Sequence, residues 1–219
     1  MGMYLRRFLA HADAKPSERH QIWFGVLTPA ELDQLFVPAG TGSARPSERA
    51  LAPMVRVLEG ARFEDVIAEL LFIDFQMYLQ DDLLVKVDRA AMACSLELRT
   101  PFLDHRLIEF AAALPTDLRV RGFESKYLFK KAVAPWLPRK IVYRTKRGFS
   151  VPIARWLRED LRPLLDEVLD AKTLEQQGIF NPPFVRGLLE EHWSKRNDHR
   201  KALWALLCFQ LWHRRWRVA

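Results

Sequence analysis

Apolar side chains recur at helical spacing from Phe63 to about Gln80, through Val66, Ile67, Leu70, Leu71, Phe75, Tyr78 and Leu79, with Asp74 as a break. The pattern predicts a core helix. Asp81 and Asp82 then stand before Leu83, where either could cap a second helix running through Asp88, Arg89 and Met92 toward Leu96. Upstream, Met3 to Ala12 and the stretch from about Ser17 read as short helices, and Thr28-Pro29-Ala30-Glu31 has the form of a capping box with Pro at the first helical position. The segment 38–46, rich in Gly and Pro, reads as a flexible loop.

Further along, Thr100 is pushed toward an extended conformation by Pro101, and Asp104 is placed to cap a helix through Phe110. Leu114-Pro115 ends that helix. A short basic turn with Gly122 follows, after which Ser125 could cap a helix carrying Lys126, Leu128, Phe129 and Val133, closed by Pro135 and Pro138. Residues 141–152 lack a helical period and read as an ordered loop. A helix from Pro152 to about Asp170, a turn near Gly178, a helix after Asn181-Pro182-Pro183 and a last helix opened by Asp198 complete the chain, with Trp204, Cys208, Trp212 and Trp216 on one face. There is no internal repeat and no low-complexity run.

Composition agrees with this pattern. The 219 residues are 49% hydrophobic and include only nine glycines, against an average share of about 7%, so helices are favoured over a turn-rich β architecture. The expected fold is all-α, or nearly so, a multi-helix globular bundle in one domain, 1–219. Cys94 and Cys208 show no metal or disulfide spacing, and no apolar stretch reaches the roughly 20 residues that span a bilayer. A soluble, cytoplasmic protein is expected. Thirty-four Lys and Arg against 27 Asp and Glu leave +7, which draws phosphate-bearing partners, although cations spread over solvated helices would account for much of it.

The candidate chemistry is cationic. His192 and His199 lie seven apart without an HExxH, which argues against a metal site, and no GxxxxGK[ST], GxGxxG or GxSxG is present. Arg89, Lys126 and the pair Lys146-Arg147, followed by Gly148, are suited to a polyphosphate, since a cation beside a departing phosphate stabilises charge that develops in the transition state. By spacing alone, a solvated basic loop is the favoured explanation of 144–148, capping explains Asp104, and local pairing explains Glu97 and Arg99.

Four segments in order resemble the helical region of glutamine-hydrolysing asparagine synthetases. They are Asp81-Asp82-Leu83-Leu84-Val85-Lys86-Val87-Asp88-Arg89, Ser95-Leu96-Glu97-Leu98-Arg99-Thr100-Pro101-Phe102-Leu103-Asp104-His105-Arg106, Ser125-Lys126-Tyr127-Leu128, and Leu137-Pro138-Arg139 leading to Lys146-Arg147-Gly148-Phe149-Ser150. The resemblance implies the helical C-terminal part of an adenine-nucleotide α-hydrolase-like synthetase domain. Enzymes of that family use ATP and Mg²⁺ to adenylate a carboxylate, usually that of aspartate, and ammonia from glutamine then forms the amide in asparagine biosynthesis. Carried onto this chain, the resemblance makes Lys146 the first catalytic candidate with Asp104 beside it. Lys126, Arg89 and Arg147 become nucleotide contacts.

The chain departs from the family in having Gly2 where the glutaminase nucleophile would follow the initiator, and in lacking the SGGxDS and SGEGxDE stretches that bind ATP. The expected partners are therefore a glutaminase and ATP-binding region and a carboxylate substrate. The isolated chain is expected to be inactive and to bind no cofactor tightly. An apolar surface left uncovered would favour a homodimer. A second reading is a basic helical nucleic-acid-binding module gripping phosphates through His213-Arg214-Arg215-Trp216-Arg217, although cations in a last helical turn also suit the helix dipole.

Overall fold

Thr28 opens its helix as the sequence predicts: its hydroxyl accepts from the Glu31 amide at 3.3 Å, and its own amide donates to the Glu31 carboxylate at 2.6 Å. Helices dominate the computed structural model, which describes residues 11–38, 40, 43–145 and 151–216. The predicted helix over Met3 to Ala12 lies outside these residues except for its end, which forms a turn. Three helices follow in the first part, α1 (Pro16–Phe24), α2 (Pro29–Leu35) and α3 (Pro46–Leu58). The chain divides into two compact units, Met1–Pro53 together with Ser150–Ala219, and Met54–Phe149.

The first unit contains α10 (Ile153–Trp156), α11 (Arg162–Val168), α12 (Ala171–Gln177), α13 (Pro182–Trp193) and α14 (Arg200–Trp216) in addition to α1 and α2. The helix predicted from Pro152 to Asp170 is thus two helices with a turn between them. Asp170 caps α12, whose end is set by Gly178 at φ 63°, a left-handed conformation that glycine adopts without steric cost. Leu27, Leu35, Leu157, Leu165, Val185 and Leu203 belong to one buried apolar cluster, so residues from both ends of the sequence share a core. The amide of Asn181 donates to the Leu35 carbonyl at 2.8 Å, and that of Val37 to the Ile179 carbonyl at 2.9 Å, tying the N-terminal helices to the C-terminal ones. The core face of α14 is Ala202, Leu203, Leu206, Leu207 and Gln210. The tryptophan face of the same helix is largely exposed.

His192 is completely buried in this unit. Its Nδ1 accepts from the His199 amide at 3.2 Å, which places the ring proton on Nε2, 3.2 Å from the Ala154 carbonyl. Burial pushes its pKa below the ordinary imidazole value, reinforced by Arg158 and His199 and opposed by the Ala154 carbonyl and Asp198. With the folded pKa depressed, the unfolded chain binds more protons below about pH 6.5, so stability is lost as the pH falls from there toward the folded value. The carboxylates of Asp33 and Asp65, held low mainly by bonds to Ser47 and Thr116, act in a separate window below about pH 4. A series of thermal melts from pH 7.5 to 5 is expected to show a falling midpoint, and His192→Gln a flatter profile over the same range.

The second unit follows a long helical run: α4 (Val66–Ile73), an 11-residue π-helix, π1 (Asp74–Leu84), and α5 (Val85–Met92). Asp65, not Phe63, starts it, accepting from the Ala68 amide at 2.8 Å. The predicted break is absent, because Asp81 and Asp82 lie inside continuous helical backbone with αR residues at both ends of π1. Nor is this a core helix, since Ile73 is its one buried residue while Leu71, Phe75, Tyr78 and Met92 are exposed. A 3₁₀ turn (Pro101–Leu103) leads to α6 (His105–Ala112) and α7 (Thr116–Arg119). Strands β1 (Val120–Arg121) and β2 (Glu124–Ser125) pair antiparallel, Val120 opposite Ser125 and Arg121 opposite Glu124, before α8 (Tyr127–Val133) and α9 (Arg139–Val142).

Candidate functional site

Lys126 sits where the hairpin turns into α8. Gly122 supplies the positive φ, 60°, that a two-residue hairpin loop requires at its first position. The strand then runs directly into the helix through Lys126 at φ 58° and ψ 37°, left-handed for a residue with a side chain. That conformation costs about 1–2 kcal/mol. Ser125 is consequently a strand residue and not the cap, while the Lys126 carbonyl accepts the first helical bond, from the Lys130 amide at 2.9 Å. The Lys126 side chain is exposed and has no ion-pair partner among the described residues.

Asp104 is the N-cap of α6, as its position before the helix predicts. It accepts from the Arg106 amide at 3.0 Å and from the Arg106 guanidinium at 3.0 and 3.1 Å. The guanidinium, followed by the amide, holds the Asp104 carboxyl below the usual carboxylate range. Its carboxylate is thus paired with a neighbour two residues away, not with Arg89 or Lys126. Arg89 is exposed on α5. Glu97 and Arg99 pair with each other at the surface. Lys146 and Arg147 lie outside the described residues.

What joins the corner at Asp104 to the helix after Lys126 is aromatic. Phe102 packs edge-to-face on Phe129, with ring centroids 5.3 Å apart at 88°. Thr116 on α7 gives its hydroxyl proton to Asp65, the cap of α4, and accepts from Arg119 at 2.9 Å. Glu124 meets Lys130 at 3.6 Å. Phe102 and Phe129 thus tie the corner before α6 to α8, and Asp65 and Thr116 tie the start of α4 to α7, contacts that the sequence analysis does not predict. The cap pattern at Asp65 was readable; the ring pair, 27 positions apart, left no local signal.

Among the described residues, no three or more His, Cys, Asp or Glu side chains gather where they could hold a metal ion, and no helix is long and apolar enough to cross a membrane. Arg89 and Lys126 have no carboxylate within 4 Å among the described residues, and Lys126 is one of three described non-glycine residues at positive φ, with Ser95 and Lys195.

A profile of the asparagine synthase family matches residues 5–214. The chain is 31% identical over 155 residues to asparagine synthetase [glutamine-hydrolyzing] 1 of Bacillus subtilis, covering 71% of this chain and 24% of that protein. It is 37% identical over 150 residues to a Mycobacterium tuberculosis protein provisionally named asparagine synthetase [glutamine-hydrolyzing], covering 68% and 23%. With the Gallus gallus asparagine synthetase [glutamine-hydrolyzing] it shares 34% identity over 146 residues, 59% of this chain and 25% of the other. The chain thus spans about a quarter of the length of the curated relatives it matches. No solved structure matches it at a significant level.

Proposed function

The chain belongs to the asparagine synthase family, and on that premise we propose that it forms part of an ATP-dependent ligase that adenylates a carboxylate, aspartate by default, and converts it to an amide with glutamine-derived ammonia. The observation that carries this reading is the family match across residues 5–214. Lys126 shares a left-handed conformation with Ser95 and Lys195, and a side-chain-bearing residue held in a costly conformation within the matched segments is consistent with a functional site. In this reading Lys126, Arg89 and Arg147 face the phosphates, and Lys146 stabilises the charge that develops as the carboxylate attacks and pyrophosphate leaves. Asp104, committed to Arg106, holds the start of α6 and orients Arg106 beside the reacting groups. Mg²⁺, when bound with the nucleotide, would neutralise phosphate charge.

The chain on its own is proposed to be inactive, because it has cations but no Gly-rich loop to cradle the phosphates. A glutaminase and ATP-binding region would be the partner. Exposed Leu71, Phe75, Tyr78, Met92 and Phe102 in the second unit supply an apolar surface of the kind that is covered in a complete enzyme or, without its partner, by a second copy in a homodimer. The test is aspartate-dependent release of pyrophosphate from Mg·ATP. None is expected from the 219 residues alone, and release is expected once a segment carrying the SGGxDS loop is added. Continued absence of turnover after that addition, with both pieces folded, would refute the reading.

A further inference from the structure

The net charge of +7 is unevenly distributed, and one of several basic stretches lies in the second unit. Residues 119–145 hold eight Lys and Arg against the single acid Glu124, so this segment alone carries an excess equal to that of the whole chain. Its cations are organised by aromatic rings. Arg121 and Lys131 flank Tyr127, 5.1 and 4.9 Å from the ring centroid, and Lys130 and Arg139 flank Tyr143 at 5.8 and 5.1 Å. Arg121 also donates to the Tyr127 hydroxyl at 2.6 Å. Lys131 first, and then Arg121, holds that phenol below the usual tyrosine range.

A ring quadrupole fixes a cation in place and leaves its charge intact, whereas a carboxylate would neutralise it. Among the described residues, Lys130 is the one cation of this segment with a carboxylate within 4 Å, Glu124 at 3.6 Å, and Arg119 feels Asp65 at longer range. Arg121, Lys131 and Arg139 are held by rings with no carboxylate within 4 Å among the described residues, and with Lys126, Lys140 and Arg144 they extend from the hairpin through α8 to α9. A compact anion reaches few of them. An extended one with charges at regular intervals reaches many, releasing condensed counterions as it binds. Two large rings stand exposed on the same segment, Phe123 on the hairpin loop, fully accessible, and Trp136 at 79%.

We propose that the face formed by residues 119–145 binds single-stranded nucleic acid, with phosphates on Arg121, Lys131 and Arg139 and bases stacked on Phe123 and Trp136. This activity goes beyond the ligase reading and does not depend on it. Fluorescence anisotropy of labelled dT20 and U20 oligonucleotides with the full 219-residue chain tests it, with linear polyphosphate and polyglutamate as competitors. Expected are binding at low salt that weakens steeply as salt rises, a loss of about tenfold in Trp136→Ala from one missing stacked base, and a similar loss with a shallower salt slope in Arg139→Glu. Lys140→Glu, on the exposed surface of α9, is a second charge reversal for use if Arg139→Glu does not fold, as judged by circular dichroism. Absence of binding at low salt would overturn the proposal. So would displacement by polyglutamate as effective as by oligonucleotide, indifference to Trp136→Ala, or full displacement by Mg·ATP, which would return these cations to the nucleotide site. Pyrophosphate release is read separately, so failure of one account leaves the other standing or falling by its own assay.

Discussion

Lys146→Ala, in the chain assembled with the remainder of a synthetase, is expected to lower the rate of amide formation by about 10²–10³-fold, the usual cost of removing one donor aimed at transition-state charge. The loss should appear in kcat more than in KM, because the interaction strengthens as pyrophosphate departs. Lys126 gives an internal comparison. Lys126→Ala removes the cation and keeps the strained backbone, whereas Lys126→Gly removes the cation and relieves a conformation that costs about 1–2 kcal/mol. Lys126→Gly should therefore melt higher than Lys126→Ala, while steady-state assays find both impaired. A Lys126→Gly chain that gains stability and retains full activity would mean that its strain serves the fold of the hairpin and not the reaction.

Leu203→Ala is expected to destabilise the first unit by about 2–5 kcal/mol, a large share of a typical domain stability of about 5–15 kcal/mol. Leu203 is fully buried in the cluster that joins Leu35, Leu165 and Val185, so truncation leaves a cavity that surrounding helices fill poorly. Trp204, its neighbour, is 38% exposed and turns away from that cluster. Trp204→Ala should cost much less despite the larger side chain removed. Urea denaturation of the two variants checks the contrast, and equal losses would show that the face of α14 is misassigned.

Much of the helical outline was legible because its signals are local. Thr28 and Glu31 satisfy one another's backbone groups, Asp104 caps from the position just before its helix, and Gly178 takes the left-handed conformation that ends α12. Burial was legible less often. The apolar period from Phe63 to Gln80 does predict a helix, but whether its apolar side is covered depends on elements far away in sequence, and here Leu71, Phe75 and Tyr78 are exposed. The same holds for the tryptophans of α14. Asp81 and Asp82 failed as caps because capping requires a break, and the backbone continues through π1. Ser125 failed because pairing with Val120 drew it into a strand and moved the helix start past Lys126. At the candidate site the charged residue types could be read directly, whereas the contacts between the surrounding elements, Phe102 on Phe129 and Thr116 on Asp65, join positions 27 and 51 residues apart.

If these residues serve the proposed carboxylate-adenylating ligase, an oxygen atom passes from the substrate carboxylate to AMP, and isotope transfer follows it. Aspartate labelled with oxygen-18 in its side-chain carboxylate is supplied with Mg·ATP and glutamine to the chain assembled with segments carrying the SGGxDS loop and a glutaminase, and the nucleotide product is analysed by mass spectrometry. AMP carrying one labelled oxygen is expected, formed in step with asparagine and lost in Lys146→Ala. Label in inorganic phosphate accompanied by ADP, or AMP formed without label, would contradict it.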